Sequence, residues 1–449
     1  MTAWLEVRPT SDVDRRDVDR LHDEVGERLT RRLTQLRGSD GVGLSFEDER
    51  ALGHEVIAEV LGEWRKAAFS SGRPTLSEEV EDELARRVHD RIFGLGELQR
   101  LIDNPNYSDI HVSGCDRVFI RTVDGQRIRG PRVADSDEAL VAQVAAYARR
   151  VGRSERRWDR EVVALNLPLP DGSRLHGLQE VTGRPVIDIR RHNFTISRLV
   201  ELEQRGLMDR AIREFLSAAV KAKTNIIVAG AQGTGKTTLL RCLINEVPPH
   251  ERIITAEDSL ELGIERFRDL HPDQETIETR APNTEGKGAF TLTDATRESL
   301  RMMGDRVIVG EIRGGELIAM ILAMTHGEDG SMCSMHAGDI EDVFDRLLIY
   351  GSMSEMRPDP SVTAMMVANA VRWVVYLGWD VRQQRRVAAI RELVGADGKQ
   401  IISNAIWTPD ETGKAVPTGT RLTERSERAL TDAGFDLAFL DEPGGWWEQ

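Results

Sequence analysis

Residues 230–237 have the sequence Gly-Ala-Gln-Gly-Thr-Gly-Lys-Thr, and this stretch decides the fold around it. It follows the apolar segment Asn225–Ala229, which we predict to be a strand, and it opens a predicted helix at Thr237–Asn245. A G-x-x-x-x-G-K-T segment between a strand and a helix is typical of a P-loop, whose backbone N–H groups and helix N-terminus bind phosphate oxygens. The residues predicted to contact a nucleotide are Gly230, Gln232, Gly233, Thr234, Gly235, Lys236, Thr237 and Thr238.

The side chains that end this motif have distinct predicted roles. Lys236 is one of only 7 lysines in 449 residues, so its place in the motif does not follow from abundance. In a P-loop the lysine reaches the β- and γ-phosphates, and the hydroxyl of the next residue, here Thr237, ligates Mg²⁺. The motif therefore predicts a site for a nucleoside triphosphate and Mg²⁺.

The residues around the P-loop alternate between predicted strands and helices. This alternation predicts an α/β fold with a parallel sheet that is covered on both faces. Further strands are predicted at Ile253–Ala256, Val307–Val309, Val387–Val394 and Ile401–Trp407, and further helices at Leu292–Met303, Glu316–Met324 and near Glu424–Ala433.

Two of the predicted strands end in carboxylates. Glu257 follows the strand Ile253–Ala256, and Glu311 follows Val307–Val309 and Gly310. Ligands of open parallel sheets bind at the carboxyl ends of strands, so both side chains are candidates for holding Mg²⁺ or orienting water. The alternatives are an acidic first turn of a helix for Glu257 and a surface ion pair with Arg313 for Glu311. Gly310 stands where a Walker B strand usually has Asp.

Histidines and arginines form two further groups. His326 and His336 are ten residues apart without a third ligand at metal spacing, which makes a zinc site a weak hypothesis. At the end of a strand, His336 is better placed to respond to the γ-phosphate, and the alternative is a structural role. Arg174 and Arg191, together with Arg190, are candidates for stabilising transition-state charge, or else solvated charges at a strand edge.

The chain is divided into four predicted segments. Residues 1–75 form a helical extension, in which Leu21, Val25, Leu29, Leu33 and Leu36 line one helix face; it is either a cap on its own chain or a docking arm. Residues 76–195 form an N-terminal α/β domain, with a helix that begins at Ser77 and runs to about Phe93. Residues 196–205 are a linker, and residues 206–449 form the P-loop domain.

Composition excludes several classes of protein. A formal charge of −15 disfavours a nucleic-acid binder, because nucleic-acid binding depends on cations that neutralise phosphates. No apolar run approaches the ~18–20 residues of a membrane span, and the charged N-terminus has no signal-peptide core, so we expect a cytoplasmic protein. Three cysteines without a C-x-x-C pair exclude a disulfide framework or a cysteine zinc site.

Four motifs in order, at residues 230–237, 254–262, 307–316 and 328–337, resemble those of the type II/type IV secretion ATPase superfamily, and within it the CpaF/TadA family of Tad (Flp) pilus assembly ATPases. The segment Ile92–Val112 is similar to the start of that family's N-terminal domain. The resemblance implies a RecA-like motor domain beside an N-terminal α/β domain. It also implies ATP and Mg²⁺ as cofactors, a homohexameric ring, and inner-membrane platform proteins as partners.

The resemblance also implies roles for individual residues. Glu257 becomes the candidate for activating water, Glu311 the Walker B carboxylate, His336 the His-box residue, and Arg174 and Arg191 phosphate-contacting arginines. The sequence departs from the family at Glu328, which stands where the His box usually has its first histidine, while His326 lies two residues earlier.

Three rival functions remain open from the sequence. The first is a conjugation-type or competence-type secretion ATPase of the same superfamily. The second is a RecA-like nucleic-acid motor, which would need a basic pore or stacking aromatics, whereas only 5% of the residues are aromatic. The third is a nucleotide-binding regulator without turnover. The pair Trp446 and Trp447 is either a docking anchor or part of a packed tail.

Overall fold

The computed structural model describes residues 13–40, 44–151, 157–191, 196–280, 282, 286–325, 327 and 329–447. The chain divides into two compact units, residues 1–193 and 194–449. Among the helices of the described residues, none is both long and apolar enough to cross a membrane.

The first unit begins with three helices that share one core. They are α1 (Arg15–Asp40), α2 (Phe46–Ser70) and α3 (Glu78–Phe93). Ser77 caps α3 by accepting a hydrogen bond from Val80 N, as its sequence predicted. Because α3 buries Leu84 and Val88 against α1 and α2, the helical part extends to Phe93 rather than ending at residue 75.

The predicted apolar face of α1 is buried over most of its length. Leu21, Val25 and Leu29 lie in the helical core, and Leu33 packs against it. Leu36, by contrast, is 44% exposed, since it lies in the last turns of a helix that extends beyond this core. The helices α1 and α2 therefore pack against their own chain, as in the first of the two interpretations of residues 1–75, a cap.

The rest of the first unit is an antiparallel sheet with two helices. The helices are α4 (Glu97–Asp103) and α5 (Asp137–Val151). The strands are β1 (Tyr107–Ser113), β2 (Arg117–Thr122), β3 (Arg127–Arg129), β4 (Ala164–Pro168), β5 (Arg174–Leu178) and β6 (Val186–Arg190). They are ordered β3-β2-β1-β6-β5-β4. Alternate residues of β2, β4, β5 and β6 are buried, in a core that also contains residues of α4 and α5.

The second unit is built on a nine-stranded sheet. Its strands are β7 (Ile226–Gly230), β8 (Ile253–Glu257), β9 (Gln274–Glu278), β10 (Arg306–Ile312), β11 (Met332–His336), β12 (Trp373–Trp379), β13 (Arg385–Asp397), β14 (Gln400–Pro409) and β15 (Ala415–Pro417). Its helices are α6 (Leu199–Gln204), α7 (Arg210–Lys221), α8 (Lys236–Ile244), α9 (Leu292–Ser299), α10 (Glu316–Thr325), α11 (Ile340–Met353), α12 (Pro360–Ala370) and α13 (Glu424–Asp432), with 3₁₀ turns at Ile264–Phe267 and Leu437–Leu440.

The strand order of this sheet is β15-β14-β13-β12-β7-β11-β10-β8-β9. The neighbouring strands β12, β7, β11, β10, β8 and β9 pair in parallel. On the other side of β12, the strands β13, β14 and β15 continue the sheet with antiparallel pairing. All residues of β7 and β8 are buried, as expected for parallel strands covered on both faces. The prediction of an α/β fold with a RecA-like core and an N-terminal α/β domain is confirmed.

Two segments of the second unit bear on the sequence-based predictions: residues 196–205, predicted to be a linker, and the pair Trp446 and Trp447. Residues 196–205 are not an open linker, because α6 places Leu199 and Leu202 in the main core. The C-terminal tryptophans belong to a packed tail: Trp446 N donates to Asp209 Oδ2 at 2.7 Å, and Trp447 Nε1 donates to Ala415 O at 2.9 Å.

One buried amide fixes the start of β11. Asn225 Nδ2 donates to Met324 O and Ala370 O, at 3.0 and 2.7 Å, and Asn225 Oδ1 accepts from Gly330 N and Ser331 N, at 2.8 and 2.9 Å. A primary amide can satisfy these four groups at once because it carries both donors and acceptors. Asn225 therefore sets the position of the strand whose last residue is His336.

We predict that Asn225→Ala lowers the free energy of unfolding by about 3 kcal/mol, because it removes the amide to which four buried backbone groups are hydrogen-bonded. Urea unfolding followed by tryptophan fluorescence measures the loss, since Trp373 and Trp407 are buried in this unit. The matched control is Asn369→Ala, at an exposed position of α12, which should change stability by less than about 0.5 kcal/mol. Equal effects of the two substitutions would contradict the prediction.

Candidate active site

The P-loop joins β7 to α8 through backbone conformations that favour glycine. Gly233 and Gly235 have φ of +79° and +101°, a region that other residues rarely adopt. A Cβ on Gly230 would collide with the carbonyl oxygen of Leu377 in β12. Gly235 is also the N-cap of α8 and offers no side chain to its first turn. The N–H groups at this helix end are therefore left for another acceptor, as a phosphate site requires.

Lys236 is buried at the start of α8 with all three of its N–H donors engaged. Its Nζ lies 3.0 Å from both Gly230 O and Ala231 O, and 3.1 Å from His336 Nδ1. Burial lowers the pKa of Lys236, because the ammonium form loses hydration. An anionic ligand beside Nζ would offset this cost, so the lysine fits the binding of phosphate.

His336 connects the P-loop lysine to Glu311. It ends β11, in register with Gly230 of the neighbouring strand β7. Because an ammonium group can only donate, the Nδ1 atom that faces Lys236 must accept, which assigns the ring proton to Nε2. Nε2 lies 2.8 Å from Glu311 Oε1. Burial lowers the pKa of His336, and this effect exceeds the opposing effect of the Glu311 charge. The neutral form of the imidazole is therefore favoured.

Glu311 continues the chain of contacts into the next strands. Its second oxygen, Oε2, accepts a hydrogen bond from Arg313 Nη2 at 2.6 Å, and Arg313 Nη1 lies 3.1 Å from Asp258 Oδ2. The ends of three parallel strands, β11, β10 and β8, are thus linked by His336, Glu311, Arg313 and Asp258. The sequence predicted Glu311 and His336 separately, with a Glu311–Arg313 ion pair as an alternative, and this pair is present. The sequence did not predict the rest of the chain.

Glu257 is buried at the end of β8. Its Oε2 accepts backbone hydrogen bonds from Glu261 N and Leu262 N, at 2.9 and 2.8 Å, and Thr255 Oγ1 donates to Oε1 at 3.2 Å. Burial outweighs these hydrogen bonds and raises the pKa of Glu257 to about 8. Through its hydrogen bonds to Glu261 N and Leu262 N, the carboxyl group shapes the turn that carries Asp258. Its pKa lies near neutrality, which is the range in which a general base is effective.

Gly310 has a direct packing role beside Glu257. A Cβ at residue 310 would lie 3.1 Å from Glu257 Cγ and 3.5 Å from its Oε2. The glycine that replaces the usual Walker B aspartate therefore leaves room for the Glu257 side chain between β8 and β10.

The residues that are present fit a magnesium nucleotide better than a protein-ligated metal. Within the described residues, no group of three or more His, Cys, Asp or Glu side chains could hold a metal ion. Mg²⁺ typically takes one or two protein ligands and completes its shell with phosphate and water, for which Thr237 and Glu311 are the predicted ligands. His326 and Glu328 lie outside the described residues. Cys115, Cys242 and Cys333 are free and buried.

Arg174 and Arg191 lie in the first unit. Arg174 begins β5 and pairs in register with Arg190 of β6. Arg191 Nη1 donates to Asn104 O, and Arg191 Nε lies 3.8 Å from Asp171 Oδ2. Their contact with phosphate stays a prediction.

Comparison with known proteins places the site in a family. The model of the type II/IV secretion system protein family matches residues 93–377. The chain belongs to this family. The match includes the P-loop, Glu257, Glu311 and His336, and it confirms the superfamily that the motifs resembled. The prediction that the protein is an ATPase of this superfamily is confirmed at the level of the family.

Three relatives are 25–30% identical to this chain over the aligned residues. A putative conjugal transfer protein of Mycobacterium tuberculosis is 28% identical over 332 residues, which cover 72% of this chain and 91% of the relative. The type IV secretion system protein VirB11 of Brucella suis is 30% identical over 302 residues, which cover 60% of this chain and 80% of the relative. The crystal structure of the Brucella suis VirB11 ATPase in complex with sulphate is 25% identical, with coverage of 66% and 93% and a TM-score of 0.35.

We predict that Glu257→Gln preserves the fold and abolishes most turnover. The glutamine oxygen can still accept from Glu261 N and Leu262 N, but the amide cannot take a proton from water. Turnover should fall at least about 100-fold, as expected for loss of a general base, while nucleotide affinity changes little. Phosphate release and equilibrium binding of a fluorescent ATP analogue measure the two effects. A Gln variant with wild-type turnover would limit Glu257 to shaping the turn.

The same pair of proteins tests the raised pKa of Glu257. In the unfolded chain the carboxyl ionises near its usual pKa of ~4.5, whereas in the folded protein it keeps its proton up to about 8. Its contribution to stability is therefore complete below the unfolded value and is lost as the pH rises through this window. Since glutamine does not ionise, the melting temperature of Glu257→Gln relative to wild type should rise between pH 5 and pH 8.5. A constant difference would contradict the raised pKa.

Proposed function

We propose that the protein hydrolyses ATP with Mg²⁺ and uses the energy to drive a pilus-assembly or secretion machine. The observation that carries the proposal is the contact chain in which His336 lies 3.1 Å from Lys236 Nζ and 2.8 Å from Glu311 Oε1. It places the P-loop lysine and the Walker B carboxylate on either side of one imidazole. These are the two groups that position phosphate and metal in P-loop enzymes.

The site residues take the following proposed roles. The P-loop residues Gly230, Gln232, Gly233, Thr234, Gly235 and Thr238 hold the phosphates together with Lys236. Thr237 and Glu311 hold Mg²⁺, which would offset charge between the β- and γ-phosphates. Glu257 accepts a proton from the attacking water, and His336 responds to the state of the γ-phosphate. Arg174 and Arg191 supply positive charge to the phosphates from the first unit.

The wider role follows the family. We infer a homohexamer on the cytoplasmic face of the inner membrane, where platform proteins of the machine recruit it and receive its motion. Assembly of a Tad (Flp) pilus of the CpaF/TadA type is the specific function we propose. A conjugation-type ATPase is the second candidate, favoured by the similarity to a putative conjugal transfer protein and to VirB11.

Two other functions predict different behaviour in the same assays. A RecA-like nucleic-acid motor would bind single-stranded DNA in an ATP-dependent manner that weakens steeply with salt. A regulator without turnover would bind nucleotide and release no phosphate, even as an oligomer. A regulator without turnover does not require the contact chain that joins Lys236, His336 and Glu311, and the formal charge of −15 disfavours the nucleic-acid motor.

We predict that Lys236→Ala and Glu311→Gln each lower phosphate release from Mg-ATP at least about 100-fold, because each removes a group that stabilises charge on the transferred phosphoryl group. Purified protein is assayed with light scattering on the same samples, where a mass near six subunits is expected. The matched controls are Lys221→Ala and Glu275→Gln, at exposed positions of α7 and β9. Full turnover in either site variant, or in a monomer, would contradict the proposed motor.

A further inference from the structure

Arg313 lies between two carboxylates at the edge of the candidate site. Its Nη2 contacts Glu311 Oε2 at 2.6 Å, and its Nη1 contacts Asp258 Oδ2 at 3.1 Å. The two carboxylates come from the ends of different strands, β10 and the turn after β8. A planar guanidinium can serve both at once because its donors form a fixed fork. The side chain is 54% exposed, so it has room to move.

The backbone that carries Arg313 is held in place. Both Arg313 N and Gly314 N donate to Glu316 Oε1, the latter at 2.7 Å. A Cβ on Gly315 would lie 2.8 Å from the Cα of Ser354, at the end of α11. The turn after β10 is therefore closely packed, and a change in the contacts of Arg313 must come from its side chain.

Arg313 occupies one oxygen of Glu311 in this arrangement. Oε2 accepts a hydrogen bond from Arg313, whereas Oε1 is buried 2.8 Å from His336 Nε2 without forming a hydrogen bond. A divalent cation at Glu311 would lie beside the guanidinium, which repels it. Withdrawal of Arg313 from Oε2 removes this repulsion and frees the second oxygen of the carboxylate for Mg²⁺.

We propose that Arg313 is a positioning residue that competes with Mg²⁺ for Glu311 and moves onto Asp258 when the metal–nucleotide complex binds. This inference rests on the proposed function of the site. Asp258 already holds one arm of the guanidinium, so the charge of Arg313 stays paired after it leaves Glu311. The protein then prevents Glu311 from taking a metal ion before nucleotide is present.

The test is the Mg²⁺ concentration at half-maximal binding of a fluorescent, non-hydrolysable ATP analogue to the full chain. Removing the competitor in Arg313→Gln should lower this midpoint about 2–5-fold, the range expected for a partly exposed ion pair. Asp258→Asn removes the second position for the guanidinium and should raise the midpoint, since Arg313 then pairs with Glu311 alone. Affinity for the analogue in EDTA should be the same in all three proteins.

Two further variants keep the comparison interpretable. Arg313→Lys keeps the charge but can serve only one carboxylate well, so its midpoint should lie between those of wild type and Arg313→Gln. Arg297→Gln is the matched control, because Arg297 is similarly exposed and pairs with Glu355 at 2.8 Å. Melting temperatures measured without nucleotide report whether each variant is folded.

The outcomes separate this inference from the proposed function. If wild type binds the analogue with a clear Mg²⁺ dependence but Arg313→Gln does not lower the midpoint, only the competition is overturned. A lower midpoint in Asp258→Asn would overturn it as well, because a general loosening of the site would move both variants in the same direction. If wild type binds no analogue at any Mg²⁺ concentration, both proposals fail.

Discussion

The hydrogen bond between Lys236 and His336 depends on the pairing of β7 with β11, and the rest of the site depends on that bond. The two strands are parallel and in register from Met332 opposite Ile226 to His336 opposite Gly230. Successive side chains of a strand point to opposite faces, so a shift of one residue would turn His336 away from the P-loop. The amide of Asn225 fixes the backbone just before β11, at the end of the strand opposite His336. It thereby helps to maintain the register of β11 with β7.

The site is assembled from groups whose charge or polarity is costly to bury. Lys236 and Glu257 are buried, at 7% and 2% exposure. Burial lowers the pKa of Lys236 and raises the pKa of Glu257, so it favours the neutral form of each side chain. Such groups persist where a ligand or a reaction uses them, because a well-packed apolar side chain would be more stable at the same place. Backbone carbonyls and His336 accept hydrogen bonds from Lys236, and backbone N–H groups and Thr255 donate to Glu257.

Sequence reasoning was sufficient for the elements whose chemistry is local. The P-loop, the strands β8 and β10, and the helix capped by Ser77 all follow from a few consecutive residues. Each lies at its predicted place, although β10 extends to Ile312 and so includes Glu311. The bundle of α1 to α3 and the core position of α6 were missed at their boundaries, because Leu84 and Leu199 are buried by partners distant in sequence. The contacts of Asn225, and that of Arg313 with Asp258, could not be assigned for the same reason, since they bridge segments that only the tertiary fold brings together. The pair of Arg313 with Glu311, two residues apart, was one of the two sequence-based interpretations.

The antiparallel half of the sheet also contributes to the site, although none of its side chains belongs to the contact chain. β12 pairs with β7 on the side opposite β11, and its residue Leu377 lies in register with Gly230. The carbonyl oxygen of Leu377 occupies the space that a Cβ on Gly230 would need. The first residue of the P-loop is thus confined between β11, which provides His336, and β12, which continues into the C-terminal strands. A displacement of those strands would therefore act on the phosphate-binding loop through the backbone of Gly230, without any change in the motif itself.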